Sequence, residues 1–346
     1  MKILIAPDSF KECLSAEQVA TAIHRGMRKS LSAQYQLIPM ADGGEGTVQA
    51  MTRALRGKMV RCQSHDPLGR SIRAVYGWIS ATKTAIIETA SSSGLHHIPV
   101  GNRNPLKTSS FGTGEEIKHA LDRKCDRIIL GLGGVGTNDG GAGIAKALGF
   151  RLLDKNKKNI ADGAAGLLQL HKIDGSGAHP RLKNVKVIAA SDVKNPLCGV
   201  RGSAAVYGPQ KGATPTMVRE MDRALKHFAK IVRRDLGVSV LNAVGAGAAG
   251  AIGAGAMAFL NAKIFSGIEM VIELTNLEKQ IRNCDWVITA EGQIDRQTAF
   301  GKTAAGIARL AKKYRKPVIA LCGNVGAGTE PLRQLGIDAI FSIAPV

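Results

Sequence analysis

The chain has 346 residues, of which 45% are hydrophobic, 4% aromatic and 41 glycine. This excludes a disordered or fibrous chain and leaves room for two domains with buried cores. The net charge is +20, yet Lys and Arg are spread along the chain, densest near 146–158 and 309–316, with no interleaved aromatics to stack bases. An anionic substrate and a basic solvated surface therefore explain the charge better than a nucleic acid partner. The cysteines at 13, 62, 125, 198, 284 and 322 form no CxxC and no Cys/His cluster, which argues against zinc and disulfides and fits a reducing cytoplasm.

In chain order, Ile3–Ala6 reads as a first strand with no signal peptide before it. Ser15-Ala-Glu-Gln18 is a capping box opening a helix to about Lys29. Tyr35–Met40 is a second strand and Gly46–Leu55 a second helix. Met59–Gln63, Ser71–Trp78 and Thr84–Glu88 alternate apolar and polar residues around the turn Asp66-Pro-Leu-Gly69, the pattern of an antiparallel meander with one exposed face. Then come strand Arg127–Leu132, helix Gly141–Leu148, strand Val185–Ala190 and helix Pro215–Arg234. Leu236–Ala262 carries no charge, but its Gly/Ala-rich middle points to a buried small-residue helix rather than a membrane span. Trp286–Ala290, helix Thr303–Tyr314, Val318–Cys322 and Ala339–Ser342 return to βα order. The fold class expected is α/β with two α/β domains: a Rossmann-like parallel-sheet domain from both chain ends (1–65 and 240–346) and an inserted mixed-sheet domain (66–239). A substrate would be enclosed in the cleft between them.

Three apolar runs end in loops that carry glycines and carboxylates: Asp42-Gly-Gly-Glu45-Gly46, Gly131–Gly134 running on to Asn138-Asp139, and Glu291-Gly-Gln-Ile-Asp295. Glycine lets backbone approach a ligand. A neighbouring carboxylate suits a metal, a proton or a hydroxyl rather than a phosphate, so the set suggests Mg²⁺-dependent phosphoryl transfer. Gly131-Leu-Gly133-Gly-Val-Gly136 also fits a dinucleotide fingerprint, with Asp154 at ribose distance; an NAD(P)-dependent dehydrogenase of a small hydroxy acid is the rival reading. Against it, the helix starts late and Asp139 stands where a pyrophosphate would dock. Gly301-Lys302-Thr303 resembles the end of a P-loop, but Arg296 replaces its first glycine; the helix start still suits an anion. Asp8-Ser9-Phe10-Lys11 and Asp192-Val-Lys194 lie at the carboxyl ends of strands, where open α/β sheets bind ligands. His96-His97 reads as exposed loop.

Taken in order, these segments resemble the class I glycerate kinases over essentially the whole chain. The matching stretches are Ile5–Lys11, Ala41–Thr47, Asp66–Arg70, Thr108–Gly114, Gly133-Gly134 with Thr137–Gly141, Asp192–Leu197, Gly208–Ala213, Gly245–Gly250 and Glu291–Thr298 with Gly301-Lys302. The resemblance implies ATP-dependent phosphorylation of (R)-glycerate to 2-phosphoglycerate. Departures are Glu12-Cys13 in place of Gly-Ser/Thr, Val135 in place of Ser, Ala290 in place of Gly, and an end at Val346 before a further helix, so a catalytically impaired homologue is a second alternative. Phosphoryl transfer needs in-line positioning and cancellation of charge. On that basis Asp42, Asp192 and Glu291 are the expected catalytic carboxylates, with Glu45 and Asp192 for Mg²⁺. Lys11, Lys194 and Lys302 would neutralise phosphate beside Asp8 and Ser9, and Arg70 or Arg296 would pair with the glycerate carboxylate. Gly133, Gly134, Gly136 and Asn138 would line the nucleotide. ATP and glycerate are the expected partners, with no nucleic acid or membrane, and a homodimer is left open.

Overall fold

The computed structural model describes residues 1–10, 13–40, 48, 51, 52, 55–296, 298 and 303–344. Its strands in chain order are β1 Lys2–Ile5, β2 Gln34–Leu37, β3 Lys58–His65, β4 Ser71–Ile79, β5 Thr84–Glu88, β6 Arg127–Gly131 and β7 Arg151–Leu153. They continue with β8 Lys172–Asp174, β9 Lys186–Ala190, β10 Lys263–Phe265, β11 Trp286–Ile294, β12 Val318–Val325 and β13 Ala339–Ser342. The chain divides into a chain-end unit, Met1–Arg56 with Ser266–Val346, and an inserted unit, Gly57–Phe265.

The chain-end unit holds a five-stranded sheet, order β13-β12-β11-β1-β2, parallel throughout. Ile3, Leu4 and Ile5 are all buried, the continuous apolar run that a strand covered on both faces requires. The helix Ala16–Met27 starts where the sequence signals it. Ser15 accepts from the Gln18 amide, and the Gln18 side chain returns a bond to the Ser15 amide. Its Val19 and Ala20 are buried, and Ala20 packs with Ile3, Ile5 and Ile288. The expected helix Gly46–Leu55 lies largely outside the described residues.

The inserted unit holds a six-stranded sheet, order β10-β9-β6-β5-β4-β3. From β10 to β5 neighbours are parallel, and β3, β4 and β5 form the expected antiparallel meander. The Asp66 carboxylate shapes the β3–β4 turn by accepting the Leu68 and Arg70 amides, with Gly69 at φ +78°. The helix Phe111–Asp122 covers one side of the sheet through Ile117, Ala120 and Leu121. The helix Pro215–Leu236 is capped by Thr214 and by Gly237 in left-handed conformation, and buries Leu225 and Phe228 in a second cluster.

This unit begins nine residues earlier and ends later than the sequence reading placed it. The β3–β4 hairpin takes in residues from Lys58, and β10 pairs with β9, drawing the stretch before it into the same sheet. The uncharged stretch forms the buried helix Ala248–Leu260, and no described helix is long and apolar enough to cross a membrane. Its small residues serve backbone contact: a Cβ on Gly255 would lie 2.5 Å from the Gly140 carbonyl oxygen.

Candidate active site

In the inserted unit, β5, β6 and β9 run parallel, so the segments that follow them leave at one end. Gly131 pairs with Glu88 and with Ala190, which sets Thr89, Leu132 and Ser191 side by side. The Thr89 hydroxyl sits 2.9 Å from the Gly131 carbonyl oxygen, 3.1 Å from that of Gly133 and 3.2 Å from the Gly133 amide. The Leu95 amide donates to Gly134 and the Gly136 amide to Ser93. The glycine loop is therefore laced to residues 89–95 by backbone bonds.

Gly133 and Gly134 are exposed; a Cβ on Gly133 would meet no atom within 4 Å, and Gly134 has φ +65°. Bare backbone facing open space is what a closely approaching ligand needs. Gly136 and Asn138, expected beside them, are buried behind the loop. A Cβ on Gly136 would lie 2.3 Å from the Ile98 side chain. Asn138 is fully buried and accepts from the Ser203 hydroxyl at 3.2 Å. These two support the loop rather than front it.

Asp139 is also inside. Its carboxylate accepts from the Ser110 amide and hydroxyl and from the Gly141 and Gly143 amides. Burial pushes its pKa up, and these donors oppose that. An acid so enclosed does not stand in the way of a bound anion, contrary to the sequence reading. The late helix start is confirmed at Ala142. Asp154 spends its carboxylate on the Asn156 and Lys158 amides of its own turn, not on a ribose site.

Asp192 follows β9, and both it and Lys194 are exposed; Ser191 shapes the turn by accepting the Val193 amide at 3.2 Å. Arg70 is held near the glycine loop's neighbours, donating from Nε to Asp66 at 2.6 Å and from Nη2 to the His97 carbonyl at 2.5 Å. Burial alone would raise the Asp66 carboxyl, but the Arg70 and Leu68 amides and the Arg70 guanidinium hold it below the usual range. Arg70 remains half exposed.

In the chain-end unit, Asp8 follows β1 and Glu291 lies on β11, both buried. Asp8 accepts the Ser9 amide at 2.6 Å and the Thr303 hydroxyl at 2.5 Å. Glu291 accepts the Ala304 amide at 2.9 Å and the Thr298 hydroxyl at 3.4 Å. The start of the helix Thr303–Lys313, expected as an anion site, is thus met by two carboxylates of the chain itself, which complement its dipole. Arg296 is exposed. Lys11, Asp42, Glu45 and Lys302 lie outside the described residues. Among the described residues no group of three or more His, Cys, Asp or Glu is placed to hold a metal. Mg²⁺ fits the donor chemistry nonetheless, because it takes one or two carboxylates and completes its shell with phosphate and water; Asp192 is an exposed carboxylate of that kind.

Sequence reasoning missed Thr89 and Ser93. Their signal was present as a Thr/Ser-rich run at the end of a strand, facing a glycine loop across a parallel pair.

The glycerate kinase family model matches residues 3–346. The chain is 51% identical over 344 residues to the glycerate kinase of Halalkalibacterium halodurans, covering 99% of this chain and 90% of that one. It is 48% identical over 344 residues to the glycerate 2-kinase of Escherichia coli, again covering 99% and 90%. A crystal structure from Salmonella typhimurium, provisionally designated a glycerate kinase 2, superposes with a TM-score of 0.88 at 48% identity, covering 99% of this chain and 90% of that one.

Proposed function

Because the chain belongs to the glycerate kinase family, we propose that it transfers the γ-phosphoryl group of ATP to (R)-glycerate and releases 2-phosphoglycerate. The supporting likeness runs over the whole chain, and the Escherichia coli relative carries the name of a 2-kinase. The observation that carries the reading is the exposed backbone of Gly133 and Gly134 beside an exposed carboxylate, Asp192, at the ends of neighbouring parallel strands.

In the reaction the C2 hydroxyl oxygen of glycerate bonds to the γ-phosphorus as the bond to the β-bridging oxygen breaks. ADP leaves, and the hydroxyl proton passes to a carboxylate. Asp192 supplies such a carboxylate, for that proton or for Mg²⁺; Asp42 and Glu45 would complete the set. When bound, Mg²⁺ neutralises charge that develops on the phosphate oxygens. Gly133 and Gly134 give the nucleotide backbone to lie against, and Lys194 adds positive charge beside Asp192. Arg70, preset by Asp66 and His97, offers its remaining N–H groups to the glycerate carboxylate. Asp8 and Glu291 fix the loops of the chain-end unit, from which Lys11, Arg296 and Lys302 would act on phosphate.

A coupled assay of ADP release tests this. Release should require both D-glycerate and Mg²⁺. Release indifferent to glycerate, or reduction of NAD(P) by a hydroxy acid, would contradict the reading. Thr89→Val removes the hydroxyl that binds three backbone groups of the glycine loop. We expect kcat/KM to fall by about tenfold to a hundredfold, as for a misplaced positioning group, with KM for ATP carrying most of the loss.

A further inference from the structure

Two costly features converge on one carbonyl. Lys211, in the turn Pro209–Lys211, is only 2% exposed, and its Nζ donates to the Thr137 carbonyl oxygen at 2.7 Å. A buried ammonium is expensive unless its setting repays it. Gly250 faces the same carbonyl, and it lies in a run, Ala249, Gly250 and Ala251, that is successively left-handed, at φ 50°, 64° and 65°. Two of the three are not glycine, and a side chain disfavours that conformation. At Gly250 a Cβ would lie 1.9 Å from the Thr137 oxygen and 2.9 Å from the Lys211 Nζ, so the kink and the glycine together make room for this one bond.

The loop is pinned on either side of that point, by the Thr108 hydroxyl donating to the Gly136 carbonyl at 2.9 Å and by the bonds to Asp139. The Thr137 hydroxyl and the Asn138 amide nitrogen are buried without a hydrogen-bond partner. The lysine's own turn is braced from outside by Arg103, whose Nη1 donates to the Gln210 carbonyl at 3.2 Å. The glycine at 212 leaves space for the Arg103 backbone, 2.7 Å from where its Cβ would be. Thr137 stands three residues from the exposed Gly134 and two from the anchored Asp139.

We propose that Lys211 is a positioning residue of the phosphoryl-transfer site, holding the Thr137 carbonyl and through it the shape of the glycine loop that receives the nucleotide. The inference rests on the kinase reading for its catalytic consequence, and on the geometry alone for the hold on the loop. Burial pulls the Lys211 ammonium down to about 7, and the buried Asp139 carboxylate opposes that fall. The same side chain in water would titrate near 10.4, so the site keeps a donor here against the preference of a lysine for solvent.

The test compares the parent with Lys211→Met, which keeps the bulk of the side chain without its donor, and with Lys211→Ala in the presence and absence of ethylammonium chloride. Two readouts are taken. Amide hydrogen exchange over residues 136–143, measured without substrate, should quicken in both variants relative to the sheet strands. In turnover, KM for ATP should rise about tenfold or more and kcat fall by up to about a hundredfold, with KM for glycerate near the parent value. Ethylammonium should restore part of the loss to Lys211→Ala and nothing to Lys211→Met. Should Lys211→Met fail to fold, Gly250→Ala displaces the Thr137 carbonyl with the lysine in place and should give the same loop-specific exchange. Unchanged loop exchange in a folded variant, or equal losses for ATP and glycerate with no amine rescue, would overturn the proposal. A parent that turns over no glycerate would refute the kinase reading, while the exchange experiment would still decide whether Lys211 holds the loop.

Discussion

Asp192→Asn should lower kcat by about a thousandfold, the scale of losing one group that meets developing charge in the transition state, and leave the fold intact. Asp192 is exposed beyond the end of β9, and surface substitutions of this kind stay within about 0.5 kcal/mol in stability. Amide in place of carboxylate keeps size and polarity but removes the negative charge that Mg²⁺ or the attacking hydroxyl's proton requires. Steady-state kinetics and a melting curve on the same preparation check it. A folded variant with near-parental kcat would take Asp192 out of the chemistry, and a variant that fails to melt cooperatively would make it structural.

The second large effect is on stability and comes from Glu116. This residue of the helix Phe111–Asp122 is fully buried, and neither carboxyl oxygen has a hydrogen-bond partner. Burial pushes its pKa up to about 8; the nearby Ser92 and Ser91 hydroxyls pull the other way, and Glu115 and Glu88 add to the rise. An unfolded glutamate titrates near 4.3. Between those values the folded protein holds more protons than the unfolded chain, so stability is lost as pH rises through about 8. Glu116→Gln keeps the volume and cannot ionise. Its melting temperature should sit close to the parent's near pH 4 and climb above it as pH rises to about 8, levelling off beyond, by an amount equivalent to a few kcal/mol. Parallel pH profiles for the two proteins would mean that Glu116 ionises in the folded protein as readily as in the unfolded chain, its charge met by water.

Local signals made much of the fold legible. The Ser15–Gln18 capping box and the Asp66–Gly69 turn are each set by residues within a few positions of one another and appear as read, and the helix expected over Pro215–Arg234 runs over Pro215–Leu236. The helix Phe111–Asp122 was not legible because its glycines lower helix propensity. They are present for tertiary reasons: a Cβ on Gly112 would lie 1.9 Å from the His65 carbonyl oxygen, and one on Gly114 would lie 2.6 Å from the Ala147 side chain. The unit boundary was missed for a related reason, since the three-residue β10 exists only through its pairing with β9.

The candidate site shows the same division. That Asp192 and the glycine loop stand at strand ends follows from the apolar runs before them. That Asp139 and Lys211 are buried does not, because a charged residue among glycines reads as a solvated turn. Their burial depends on Ser110, 29 residues away from Asp139 in sequence, and on Thr137, 74 residues away from Lys211.

The most direct test of the central claim is ³¹P NMR of the protein incubated with ATP, Mg²⁺ and D-glycerate. The account predicts a new phosphomonoester resonance that matches added 2-phosphoglycerate and grows as the γ-phosphate signal of ATP declines. A resonance that matches 3-phosphoglycerate would contradict the assignment of the C2 hydroxyl as nucleophile. Orthophosphate alone, or no change with a protein that melts cooperatively, would contradict the kinase itself.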